Sequence, residues 1–144
     1  MKVYVDTNVV VASVVETHVH HSSSKPLMDS LSQKKDQGFI SAHGLTEIYS
    51  VMTRTPFRPQ FSPATAWQIL SDDVIPVLEL VSLSNSEYRN IVRDCASMGF
   101  GSGRVHDLAH LRAAEKASCE RIYTFDVRGF QALAPNLTSR IVTP

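Results

Sequence analysis

Four carboxylates stand where chemistry could use them. The stretch MKVYVDTNVV runs through apolar strand formers and stops at Asp6, and RIYTFDVRGF does the same at Asp126. Asp107 falls near the start of a helical segment, VHDLAHLRAAEKAS, and Glu47 in the first turns of another, LTEIYSVMTR. Taken singly, each has an ordinary explanation. An Asp between a strand and a helix is a good N-cap, and an acid in a first helical turn is favoured by the macrodipole. Glu47 reads equally well as a solvated charge flanking the stripe of Leu45, Ile48, Tyr49 and Met52. Jointly they are more specific. Carboxylates packed together raise each other's pKa, and a hard divalent cation removes that cost. Mg²⁺ and Mn²⁺ prefer oxygen ligands. An ion so held activates a water and neutralises charge developing on a phosphodiester, and two ions clamp both attacking and leaving oxygens.

Such a site needs elements that deliver its acids to one edge. KVYV is a β-branched and aromatic run of the kind buried on both faces of a sheet. GFISA, PVLELVSL, RIYTF and SRIVT are the further strand candidates. Between them lie helical segments: NVVVASVVE, SKPLMDSLSQKKDQG ended by Gly38, LTEIYSVMTR, PATAWQILSD, NSEYRNIVRDCASM, VHDLAHLRAAEKAS and VRGFQALA. THVHHSSSKP is expected to be a polar loop. Strands alternating with helices imply an α/β fold, three layers α/β/α around a mostly parallel central sheet. Ligands in such sheets bind outside the carboxyl ends of the strands, at the switch in strand order. Asp6 is therefore expected to face a cation, with Thr7 or Asn8 serving the following helix. No interior linker or repeat interrupts the chain, so residues 1–144 are expected to form a single domain.

The totals narrow the class. With 43% hydrophobic residues the chain is an ordinary globular one, and 14 basic against 14 acidic residues give no net charge to attract a polyanion. No apolar run reaches membrane-spanning length. Cys95 and Cys119 have no metal or disulfide spacing and are expected to be buried free thiols of a cytoplasmic protein. His106 and His110, four apart around Asp107, imitate a zinc-hydrolase helix, but Asp is short for that role and no third ligand stands out. The histidines of THVHH read as a solvated loop near the site mouth. GFGSG lacks both dinucleotide and P-loop spacing. Trp67 reads as core or dimer surface before it reads as a base-stacking platform.

The order VDTN, LTEI, GR-x-x-D in GRVHDLAHLRAA, and TFD resembles the PIN domain family, and within it the VapC-type toxins of type II toxin–antitoxin systems. The likeness runs from Val5 to about Phe130. It implies a PIN-like, Rossmann-like sheet and a Mg²⁺- or Mn²⁺-dependent endoribonuclease. It also implies a homodimer held inactive by a cognate antitoxin. On this resemblance Asp6, Glu47, Asp107 and Asp126 are the catalytic acids, with Asp6, Asp107 and Asp126 on the metal. Asn8 and Thr124 orient them. Arg128 stands where family members often carry another acid. Arg54, Arg104 and Arg128 are the candidates for RNA contact, beside Arg58 and Arg112. Two alternatives use the same residues. A haloacid-dehalogenase-like phosphatase would take Asp6 as nucleophile, but its DxD pattern meets Asn8 at the third position. A non-catalytic PIN-like module would bind RNA or protein without cleaving.

Overall fold

Alternation along the strands decides the layers of this protein, whose computed structural model describes residues 1–144. In β1 (Lys2–Val5), Val3 and Val5 enter one apolar cluster and Tyr4 the other. In β2 (Gln37–Ser41), Ile40 and Phe39 divide the same way. Successive strand residues face opposite sides, so a strand apolar at every position is covered on both. The remaining strands are β3 (Leu78–Val81), β4 (Arg121–Tyr123) and β5 (Ile141–Val142). All neighbours pair in parallel, in the order β3-β2-β1-β4-β5.

The order in which the chain lays down these strands reverses once. The path steps outward from β1 to β2 to β3, then returns to the other side of β1 as β4 and β5. Right-handed crossovers then demand helices on both faces. The first set is α1 (Thr7–Val14), α2 (His21–Ser32), α3 (Ala42–Arg54) and α4 (Pro63–Ile69), packed over Val3, Val5 and Ile40. The second is α5 (Asn85–Ser97), α6 (Arg104–Lys116) and α7 (Val127–Leu133), packed over Tyr4, Phe39 and Ile122. The expected three-layer α/β/α architecture is the observed one, and its sheet is parallel throughout.

Local chemistry places the helix ends. Ser41, Ser62 and Ser84 are N-caps whose side chains accept from Gly44, Thr65 and Glu87 N–H groups, and Ser84 with Glu87 forms a capping box. The second helix corrects the sequence reading at both ends. It begins at His21, inside the expected loop, and stops at Ser32 rather than at Gly38. Lys34, at φ 56°, turns the chain. Gly38 belongs to β2, where a Cβ would meet Leu78 Cδ2 at 2.6 Å. The glycine serves close packing of neighbouring elements, and not a cap. Trp67, at 58% exposure, is on the surface and not in the core. Cys95 and Cys119 are free and buried as expected, and burial pushes the Cys119 thiol up to about 12.

Candidate functional site

β1 and β4 are neighbours on either side of the point where strand order reverses. Their carboxyl ends open a crevice there, as in other doubly wound sheets. Asp6 leaves β1 into it and is also the N-cap of α1: its carbonyl accepts from Val9 and Val10, and its Oδ1 from Thr7 N at 2.7 Å. The cap is thus Asp6 itself, with Thr7 already the first helical residue, and neither Thr7 nor Asn8 takes that part. Its other oxygen, Oδ2, accepts from the Thr124 hydroxyl at 2.7 Å. That hydroxyl accepts in turn from Asp126 N at 3.0 Å and, more loosely, from Asn8 Nδ2 at 3.5 Å. Asn8 Oδ1 faces Phe125 N at 3.4 Å. Asn8 and Thr124 therefore tie the start of α1 to the end of β4, with Asp6 between.

A cavity of about 430 Å³ lies over this edge, and Asp6, Asn8, Glu47, Asp107 and His110 line it with His18. Asp6, Glu47 and Asp107 come together here from β1, α3 and α6. Asp126 does not line the cavity. It stands at the rim, its side chain 53% exposed, capping α7 through Gly129 N at 3.1 Å. A Cβ at Gly129 would sit 2.1 Å from Asp126 Oδ2, so any other residue there would displace the Asp126 carboxylate from this pose. A larger cavity of about 680 Å³ opens at the amino end of the strands, beside Met1, Asp36 and Glu79, and gathers none of the candidate acids.

Burial raises the pKa of Asp6, against the pull of His110, Thr124 and Thr7 N. Burial, Asp6 and Asp126 push Asp107 up to about 6, although Arg104 lies 3.8 Å from its Oδ2. Glu47 behaves differently. Burial pushes it up, but a hydrogen bond from His110 and the charges of His110, His43 and His106 leave it below the usual range. Crowded oxygens whose charge the fold only partly offsets are a donor set that fits a hard divalent cation.

The residue that sequence reading passed over is His110. It is 2% exposed and stands between Glu47, 3.1 Å from its Nε2, and Asp6, 3.9 Å away. Tyr4 OH lies 2.7 Å from Nδ1 and accepts from Ser41 N at 2.9 Å. The arrangement that satisfies all of these has Tyr4 donating to Nδ1 and Nε2–H donating to Glu47. Burial lowers the affinity of this ring for a second proton, but Glu47, Asp6 and Asp107 outweigh it and its pKa is raised. The available signal was its spacing: three residues from Asp107 on a helix, it shares that acid's face. His106 and His110 do not converge as a zinc pair. His106 is exposed and stacks on His43 of α3, centroids 5.2 Å apart and planes 10° apart.

The arginines separate. Arg54, at the end of α3, and Arg128, in the first turn of α7, are exposed. Arg104 is turned inward: it donates to Gly129 O at 2.6 Å, covers the Phe100 ring at 5.2 Å, and stands 4.0 Å from Asp126 Oδ2. It braces the acids from a partly exposed position. His18 borders the cavity, while His20 stacks on Phe125 at 4.1 Å and His21 donates to Ala12 O at 2.9 Å.

A pH dependence follows for the metal-free protein. Asp107 binds its proton more tightly folded than unfolded, so its contribution is full below its ordinary 3.8 and is lost as pH rises through about 6. After discounting for its partial exposure, the loss is roughly 1–2 kcal/mol. Denaturant unfolding of EDTA-treated protein at pH 4 to 7 should show it, and Asp107→Asn should flatten the profile. An unchanged slope in that variant would refute the assignment.

A family model described as PIN domain matches residues 2–128. No curated protein sequence matches the chain significantly. Among solved structures, VapC20 of Mycobacterium tuberculosis, described as a sarcin–ricin loop cleaving toxin, is 18% identical with a TM-score of 0.67, covering 86% of this chain and 89% of that one. VapBC2 from Rickettsia felis, bound to a DNA fragment from their promoter, is 20% identical with a TM-score of 0.62, covering 91% and 92%. At these identities the likeness establishes the fold. The sheet whose order reverses beside Asp6 and the family model that spans nearly all of it agree, and the chain belongs to the PIN domain family.

Proposed function

We propose that this protein is a divalent-metal-dependent endoribonuclease and the toxin of a toxin–antitoxin pair. The observation that carries the reading is the meeting of Asp6, Glu47 and Asp107 in one cavity at the strand-order switch. Family membership supports it over the phosphatase alternative. The neighbouring folds include a toxin described as cleaving the sarcin–ricin loop, which favours an RNA substrate. An antitoxin partner follows from the same likeness. We assign a homodimer as well, and exposed Trp67 on α4 is a candidate for its contact face. No helix is long and apolar enough to cross a membrane.

Asp6 and Asp107 would hold Mg²⁺ or Mn²⁺, with Asp126 acting from the rim through water. The bound ion would supply a more acidic water and neutralise charge on the phosphate. The remaining work belongs to the chain. Thr7 N and Thr124 fix both oxygens of Asp6. His110 holds Glu47 from one side and keeps it ionised. Glu47 accepts the proton released by the attacking water, whose oxygen bonds to phosphorus as the P–O bond to the leaving ribose oxygen breaks and that oxygen takes up a proton from solvent. Arg54 and Arg128 take the RNA backbone at the cavity's flanks.

Cleavage of a cellular RNA pool with Mg²⁺ or Mn²⁺, and its loss with EDTA, is the test. No cleavage by folded, metal-loaded protein across several pools would overturn the reading. Three variants probe its parts. Thr124→Val keeps shape but removes the hydroxyl between Asp6 and Asp126, and should weaken Mn²⁺ binding by about 10–100-fold, read by titration. Arg54→Ala and Arg128→Ala should each weaken RNA binding for all sequences alike. Each should lower the salt slope by about 0.7 for a single strand, which filter binding at several ionic strengths would measure.

A further inference from the structure

Two histidines outside the oxygen-lined crevice touch that chemistry only through their charge beside Glu47. His43 lies in the first turn of α3, one turn before Glu47, and His106 in the first turn of α6. One nitrogen from each ring and one carboxylate oxygen of Glu47 lie within 4.8 Å of one another. His43 Nε2 is shielded from solvent and 3.2 Å from Glu47 Oε1, yet at an angle that makes no hydrogen bond. A buried ring nitrogen without a partner is costly. A cation between it and the carboxylate would satisfy both.

The donor set differs in kind from that of the crevice. Imidazole nitrogens suit zinc, cobalt, nickel and iron, whereas carboxylate oxygens suit magnesium. Zinc bonds of about 2.0–2.1 Å at tetrahedral angles put ligand atoms roughly 3.3 Å apart. The His43–Glu47 pair already has that separation. A ring nitrogen donates in its own plane, so His106 must leave its near-parallel stack on His43 and turn a ring edge toward them; its ring is exposed on a first turn with room to do so. A fourth position would face solvent on the His106 side. The His18, His20 and His21 cluster is the weaker candidate, because His20 lies against Phe125 and His21 is bonded to Ala12 O.

We propose that His43, Glu47 and His106 bind one borderline transition-metal cation, with Zn²⁺ and Co²⁺ as probes, beside the oxygen site of Asp6 and Asp107 and sharing Glu47 with it. The inference goes beyond the nuclease reading and is read out without RNA or cleavage.

Metal-free full-length protein is titrated with Co²⁺ in excess Mg²⁺ and followed by visible d–d absorption. One equivalent should bind and resist the Mg²⁺. His43→Ala and His106→Ala should each lose more affinity than the ~10–100-fold that an outer-sphere partner costs, while Asp6→Asn should keep it. Thermal melts establish that the variants fold. Independently, Zn²⁺ should shift the ring proton resonances of His43 and His106 in the unaltered protein. Binding retained in both histidine variants, displaced by Mg²⁺, or abolished instead by the double substitution His18→Ala and His20→Ala would overturn the proposal. Failure of RNA cleavage with Mg²⁺ would leave it untouched.

Discussion

Asp6→Asn is expected to cut Mg²⁺-supported RNA cleavage by about a thousandfold or more, because a bound ion supplies several kcal/mol of transition-state stabilisation and each 1.36 kcal/mol is tenfold in rate. Asn matches Asp in shape and can still accept from Thr7 N, so the fold survives while the charge that holds the ion is gone. Stability should move the other way. The pKa of Asp6 is raised by burial, so above its ordinary 3.8 the ionised carboxylate costs the metal-free fold free energy. The metal-free variant should therefore unfold no earlier than wild type at pH 7. Mg²⁺ should raise the melting temperature of the wild type and leave that of the variant alone. Cleavage within tenfold of wild type would sink the assignment of Asp6. A melting temperature that falls sharply without metal would show that the carboxylate is needed as a cap before it is needed for an ion.

The second large effect is expected at His110. His110→Leu fills comparable space but leaves Glu47 without its donor and Tyr4 with no acceptor for its hydroxyl proton. Losing one partner of a buried polar set costs about 2–4 kcal/mol, the lower end applying because Glu47 is only half-buried. For a chain of this size that is roughly 10 °C in melting temperature. The pH sense is also fixed. The folded pKa of His110 is raised, so its contribution is fully present below its ordinary 6.5 and lost as pH rises through the folded value. The deficit of the variant should be largest near about pH 5–6 and shrink on going alkaline. Denaturant unfolding of metal-free protein across that range measures it. A double-mutant cycle with Glu47→Gln should show a coupling of about 0.5–3 kcal/mol; a coupling near zero would mean that the ring does not hold Glu47.

Much of this protein was legible before any coordinates. β1 and the position of Asp6 followed from local pattern, because a strand apolar at every residue must be covered on both faces and a polar residue at its end must leave the sheet. The alternation of strands and helices gave the three layers for the same reason. The order of the four acids was enough to identify the family. Local signals failed where a residue's role lies in its neighbours. Gly38 looked like a helix stop, and only the approach of Leu78 shows why β2 has no room for a side chain there. Arg104 stood out in the sequence only as a candidate for RNA contact, and its contacts with Phe100, Gly129 and two acids could not be read there. The histidines were the largest gap. His110 and His106 share one helix in the sequence, yet one is sealed between Asp6 and Glu47 while the other stacks on His43 in solvent. The sequence by itself determined the layers, the strand-end acids and their order along the chain, since these depend on hydrophobic period and turn chemistry within a few residues. Only the tertiary structure decided which of those acids share a cavity, which histidine stands among them and which two are left stacked beside Glu47, because those contacts join residues 37 to 118 positions apart and depend on how α3 and α6 cross the same sheet edge.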